Sequence, residues 1–293
     1  MTTKNQKQAF LFAIGAVLLW STVATAFKIT LSYLTPVQMV FYASAVSALA
    51  LLVISMVQGK LHLLPSHLKQ RPLFYLGLGL LNPLIYYLVL FKSYDLLPAS
   101  QAQPLNYTWA IALTLLSVPF LGQKIRNRDW QACGLGYFGV VLIATQGNLL
   151  ALKFENPLGV MLALLSTLLW ASYWIINTRN SGDPVVSVLL AFLLSLPFSA
   201  VVCGLSDGFA HLNWQALVAV SYVGLFEMGV TFVLWLMAMK KAENTSRISN
   251  LIFISPFISL VLLATVIGET IHLSTVAGLL LIVCGLLIQN RSA

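Results

Sequence analysis

Residues 13–21 read Ala-Ile-Gly-Ala-Val-Leu-Leu-Trp-Ser, and residues 163–171 read Ala-Leu-Leu-Ser-Thr-Leu-Leu-Trp-Ala. Trp20 and Trp170 thus stand 150 positions apart in matching apolar surroundings. Farther along a second echo holds at a spacing of 146, pairing Ser100 with Ser246, Leu105 with Leu251, Leu116 with Leu262, Gly122 with Gly268, Ile125 with Ile271 and Gly139 with Gly285. Leucine and glycine are abundant, so one identity means little. A constant offset across two apolar runs and a loop means more. Internal repetition in a membrane chain is a signature of transporters, which place the substrate site at the repeat interface.

The chain belongs in a bilayer. Of its 293 residues 59% are hydrophobic and 8% charged, and its mean hydropathy is +0.89, outside the soluble range. Runs of 17–25 apolar residues, long enough to cross ~30 Å of hydrocarbon, recur at 9–31, 36–57, 72–94, 99–121, 130–147, 156–178, 185–203, 214–237, 246–267 and 273–289. A membrane barrel would instead show ~10-residue alternating segments, which are absent. The expected fold is an all-α integral membrane protein with ten transmembrane helices.

Charge orients the spans. With the N-terminus inside, the inner segments collect Lys4, Lys7, Lys60, Lys69, Arg71, Lys124, Arg126, Arg128, Arg179, Lys240, Lys241, Arg247 and Arg291. The outer segments hold only Lys28, Lys92 and Lys153. This is the positive-inside bias, so the net charge of +8 reflects topology and implies no nucleic-acid partner. Both termini are expected in the cytoplasm, across an inner (plasma) membrane. Five spans per half is odd, so the second half enters from the opposite side. The expected organisation is two inverted five-helix repeats, 9–147 and 156–289, joined near Asn148–Asn156.

Other readings fail on particular residues. Lys4 and Lys7 before an apolar run and Ala24-Thr25-Ala26 resemble a cleavable signal peptide, but the run is long enough to span and its twin lies mid-chain. Cys133, Cys203 and Cys284 sit singly inside apolar runs, without metal or disulfide spacing. His62, His67, His211 and His272 fall in predicted loops. No metallohydrolase, serine-hydrolase or phosphate-loop motif occurs, so neither an enzyme nor a cofactor is expected.

Within the spans, Glu227 stands out. Charged residues at membrane depth cost ~2.5–3.5 kcal/mol by insertion scales and default to function; the alternative is a protonated carboxyl that only packs. Glu227-Met228-Gly229 falls opposite Asn82-Pro83 in the other half, and helix-breaking pairs in matching places point to a transporter site. Lys28, Lys92 and Asp95, near outer ends, suit snorkelling. Trp20 and Trp170 are mid-span, away from the interfacial belt. Asn106-Tyr107-Thr108-Trp109 follows Pro104; Tyr173 and Trp174 follow Trp170; Tyr86 and Tyr87 follow Pro83. Each aromatic could equally fill a gap between helices. Tyr107 and Trp109 lie about 200° apart on a straight helix, so both face one cavity only if Pro104 distorts the turn.

The whole chain resembles the ten-span drug/metabolite transporter superfamily, the branch with two repeated five-span domains. Leu18-Leu19-Trp20-Ser21-Thr22, Asn106-Tyr107-Thr108-Trp109 with Gly122-Gln123-Lys124, and Leu169-Trp170-Ala171-Ser172-Tyr173 look like the bacterial aromatic amino-acid exporters. The resemblance implies a central cavity lined by spans 1, 3, 4, 6, 8 and 9, with Trp20, Tyr107, Trp109 and Trp170 near it. Tyr86 and Tyr87 carry over poorly, and Glu227 has no counterpart in those exporters.

The reading is a secondary transporter of a small metabolite, an amino acid or amine, working by alternating access; export follows from the resemblance. The expected substrate-binding residues are Trp20, Asn82, Tyr107, Trp109, Trp170, Tyr173 and Glu227. Glu227 would pair with the substrate's amine or carry a coupling proton. The partners are a small-molecule solute and the lipid bilayer. A solute channel, or a non-transporting scaffold or sensor, is the alternative; the latter would need a soluble output module, and none is visible.

Overall fold

A computed structural model of the chain describes residues 4–122, 124–150, 154, 156–177, 180–243, 248 and 250–290. Gln123, Lys153, Arg179, Ser246, Arg247 and Arg291, used above, lie outside the described residues. The described residues are helical, with no strand. Among the described residues seven helices are long and apolar enough to cross a membrane: Gln6–Leu31, Pro36–Val57, Pro72–Leu96, Ala99–Leu121, Pro157–Asn177, Pro184–Ser206 and Trp214–Met239. Leu251–Ile267 and Leu273–Gln289 are shorter apolar helices, and Asn127–Ala144 is an 18-residue helix.

Local chemistry sets these boundaries. Pro36, Pro72 and Pro184 occupy first-turn positions, where a missing N–H costs nothing and φ is already helical. Asn5, Thr35, Asp183 and Asn213 accept N-terminal amides, satisfying donors that lack intrahelical partners. Asp129 accepts from the Arg126 N–H at 2.7 Å, which draws a polar first turn into a helix the apolar run alone starts at 130. Gly122 (φ 67°) and Gly268 (φ 77°), 146 apart, end their helices in the left-handed conformation that glycine adopts without a steric penalty.

One element was not expected. Residues 58–71 read as a loop, yet Leu63–Gln70 is a helix. Its Leu63, Leu64 and Leu68 pack on Tyr75, Val186 and Leu190, burial that about two turns are too short to announce by periodicity. His67, expected in a loop, lies on this helix with its ring parallel to that of Tyr75.

The chain forms two compact units. The first comprises Met1–Phe91 and Asn180–Ser259. Its Pro36–Val57 and Pro184–Ser206 helices pack antiparallel. At one end Thr35 Oγ1 donates to Asp207 at 2.6 Å and Gln38 Nε2 to Gly208 O at 3.0 Å; at the other Lys60 pairs with Asp183 at 2.8 Å. Two glycines let neighbouring helices meet this pair backbone to backbone: Gly79 abuts Ala191 O and Gly224 abuts Ala43 O. Gln6–Leu31 packs on Val230–Lys241 through Ala9, Ala13, Ala238 and Ala242, small residues of the kind that permit close approach in membranes.

The second unit comprises Lys92–Arg179 and Leu260–Ala293. Asn127–Ala144 and Leu273–Asn290 pack antiparallel. A Cβ on Gly139 would lie 2.6 Å from Gly278 O, and one on Gly285 3.0 Å from Ala132 O. Pro157–Asn177 packs on Ala99–Tyr107 and Trp109–Leu121, where Asn106 Nδ2 donates to Ser166 Oγ at 2.8 Å. The Glu269 carboxylate accepts from Ala99 and Ser100 N–H at 2.9 and 3.0 Å, closing a helix start that Pro98 cannot cap.

Candidate functional site

The third apolar helix is interrupted. Between Pro72–Gly79 and Tyr86–Leu96 lies a wider turn, Leu80–Ile85, in which Asn82 leaves helical geometry at φ −143° and ψ 115°. Pro83, lacking an N–H, cannot continue the ladder. The Trp214–Met239 run breaks likewise: a wide turn at Val223–Glu227, then Met228 and Gly229 (φ −120°, ψ −92°), then a fresh helix from Val230. Both breaks predicted from the paired motifs are present, and both lie in the first unit. Wide turns and unwound residues expose carbonyls that a bilayer tolerates only where something else satisfies them.

Glu227 closes the second wide turn. Tyr87, buried on the helix after the first break, donates its hydroxyl to Glu227 Oε1 at 3.2 Å, and the Trp20 indole is a second partner of this carboxyl. Trp20 in turn meets Phe232 edge-on at 5.9 Å and Trp235 at 5.5 Å. None of the ion pairs among the described residues involves Glu227. The carboxyl is held by neutral donors beside aromatic rings, an arrangement suited to a cation, each cation–π contact being worth ~0.5–2 kcal/mol. Nearby, Thr22 Oγ1 and Tyr222 OH share a 2.7 Å hydrogen bond at the wall of a groove of about 470 Å³ that Thr25, Ile29, Val218 and Ala219 also line.

Asn82 is buried, and its Oδ1 has no hydrogen-bond partner among the described residues. The other expected residues belong to the second unit. Trp170 stacks on Tyr173 at 5.4 Å and 20°, and Trp174 meets Trp170 edge-on at 5.9 Å. Between Tyr107 and Trp109 the turn tightens at Thr108 (φ −70°, ψ −1°). The structure brings Trp20 to Glu227 and Trp170 to Tyr173. Lys92 and Asp95 pair with each other at 2.6 Å on the surface. Tyr87 is the partner that sequence reasoning passed over: only its place one helical turn past Pro83 marks it.

A polytopic helical protein with broken spans meeting at a carboxyl within a span has the build of a solute carrier. Comparison with known proteins agrees. The EamA-like transporter family matches residues 7–145 and again 157–291; the chain belongs to this family. It is 23% identical over 281 residues to the uncharacterized transporter YvbV of Bacillus subtilis, covering 94% of this chain and 90% of that one. It is 24% identical over 294 residues to the aromatic amino acid exporter YddG of Ancylobacter novellus, covering 98% and 97%. A crystal structure of a protein 21% identical shares the fold at a TM-score of 0.66, covering 97% of each chain. The protein is therefore a multi-pass membrane transporter of a small-molecule solute, not an enzyme.

Proposed function

We propose that this transporter exports a small amine-bearing metabolite, an amino acid or a free amine, by alternating access across an inner membrane. The observation that carries the reading is the Glu227 carboxyl, held by Tyr87 and Trp20 with no ion-pair partner among the described residues. A half-buried acid of this kind at membrane depth serves an arriving ammonium or a coupling proton, the two competing for one group. Export is supported by the similarity to YddG. Asn82, Tyr107, Trp109, Trp170 and Tyr173 are proposed to bind substrate as well, the aromatic members through their faces.

The architecture proposed is ten spans in two inverted repeats, 9–147 and 156–289, with both termini cytoplasmic. Two observations support it. The family matches the chain twice, with its joint between residues 145 and 157. The Ala132–Gly285 contact, moved by 146 positions, becomes Gly278–Gly139, the same contact with its partners exchanged. A two-fold axis perpendicular to the helices would produce this exchange, and such an axis in the membrane plane relates inverted repeats.

A thermal-shift screen of the purified protein against amino acids, polyamines and quaternary amines tests the substrate class. Stabilisation by amines that Glu227→Gln abolishes is the expected result; stabilisation only by solutes without a cationic group refutes it. Tags at both termini and at 124–129 should report cytoplasmic, and one at 148–150 outside.

A further inference from the structure

The Gln6–Leu31 helix and the Trp214–Met239 run are fastened at one end and parted at the other. At the fastened end Ala9 and Ala13 meet Ala238 and Ala242. There Lys4 Nζ donates to Ala242 O at 3.0 Å and the Asn5 N–H to Lys241 O at 2.9 Å. Midway, Thr22 and Tyr222 share their 2.7 Å hydrogen bond. Beyond that bond the groove of about 470 Å³ opens between the two helices, its walls including the small residues Ala26 and Ala219. Every residue lining it belongs to the first unit.

The groove has the length and chemistry of one leaflet. From Thr22 to Tyr33 it follows 11 residues of chain, ~16 Å at a helical rise, against ~15 Å for half of the hydrocarbon layer. Its mouth is set by Tyr33 and Trp214, 45% and 73% exposed, amphipathic rings of the kind that collect where hydrocarbon meets headgroups. Its floor is the Thr22–Tyr222 pair. None of the lining side chains is charged, so an ammonium finds no counter-charge there. Water gains few hydrogen bonds from such walls, and an empty slot would forfeit dispersion contacts along its lining. At this depth a bilayer supplies acyl chains. We propose that the groove is a binding site for one acyl chain of a phospholipid, in the outer leaflet on the topology proposed above. The chain would end on Tyr222, whose ring meets Phe226 at 4.7 Å in the wide turn that carries Glu227, so the bilayer would touch the broken span directly.

The competing occupant is the apolar body of the transported solute. Native mass spectrometry separates the two, on protein reconstituted in dioleoyl-phosphatidylcholine vesicles and extracted in mild detergent. The parent should keep one phospholipid, and Ala219→Trp, which fills the groove, should lose it. Val218→Trp, at an exposed wall position, is a second variant for the same loss and keeps the test decisive if Ala219→Trp does not fold. Leu49→Trp is the control: it is 63% exposed and outside the groove, and the lipid should stay. Didecanoyl-phosphatidylcholine, with the same headgroup and chains too short for the groove, should be retained less. A parent that keeps no phospholipid, equal retention of the two lipids, or retention that both groove variants leave intact overturns the site. In the last case a fall in transport by the same variants would assign the groove to the solute. Lipid retention is read without any solute, so this site and the amine proposal fail separately.

Discussion

Leu80–Ile85 and Val223–Glu227 are two wide turns that interrupt their helices and are finished differently. Each follows a glycine, or contains one, that brings its helix against an alanine carbonyl of the Pro36–Val57 and Pro184–Ser206 pair. Each sets one residue outside helical geometry, Asn82 in one and Gly229 in the other. At a spacing of 146 Pro83 corresponds to Gly229, so a ring stands where the other break has no side chain. Ser195, at 148 from Ser47, has its hydroxyl satisfied, and that of Ser47 has no partner among the described residues. Only the second break ends on a carboxylic acid. The two breaks share their packing on the same helix pair and differ in the polar groups they carry.

The largest expected effect falls on that difference. Removing one partner of a buried charged pair costs ~3–5 kcal/mol, so Glu227→Gln should weaken an amine substrate on the order of a hundredfold or more while leaving folded protein in the membrane. It should also remove the pH dependence of transport. Full pH-dependent transport by this variant, measured in proteoliposomes, would reduce Glu227 to a packing residue and make the two breaks equivalent.

The shared part of the comparison makes a structural prediction. Gly79→Ala and Gly224→Ala should each cost about 1–3 kcal/mol by forcing a methyl against a backbone oxygen. Gly77→Ala, with nothing within 4 Å of its would-be Cβ, should stay within about 0.5 kcal/mol. Melting temperatures of the three variants decide it; a Gly77 effect as large as the other two would disprove the close approach.

The twin tryptophans should behave unequally. Trp20→Ala removes a partner of Glu227 and should cost an amine substrate ~0.5–2 kcal/mol of binding. Trp170→Ala, whose neighbours are Tyr173 and Trp174, should lose aromatic substrates preferentially. If both lower protein abundance and leave transport per molecule unchanged, the rings are packing.

The smallest effect concerns the ends of the antiparallel pair in the first unit. Burial pushes the Asp183 carboxyl upward, but the Lys60 ammonium and the Val185 and Val186 N–H groups outweigh it and hold the group below its ordinary value. A depressed acid stabilises above its unfolded value and loses that contribution as pH falls toward the folded one. Asp183→Asn keeps the cap, so at neutral pH it should cost at most ~1 kcal/mol. Its melting temperature should fall less than the parent's below about pH 4. Parallel acid titrations of the two proteins would reveal no difference if Lys60 contributes nothing.

Span positions were legible from residues alone because transfer into hydrocarbon sums over a local window. The runs at 36–57 and 99–121 match their helices end for end. Boundaries were legible wherever proline, a capping side chain or a left-handed glycine acts on its own turn. The breaks at Asn82-Pro83 and Glu227-Met228-Gly229 could be read for the same reason, since each is a fault in its own helix. What tertiary structure alone decided is who meets whom. Tyr87 reaches Glu227 across 140 positions, and Gln38 reaches Gly208 O across 170. The short Leu63–Gln70 helix is stabilised by a core built partly from Pro184–Ser206. Hydropathy and propensity are properties of neighbours in the chain. A carboxyl's hydrogen-bond donors are set by helices packing at glycine and alanine contacts, which no local window contains.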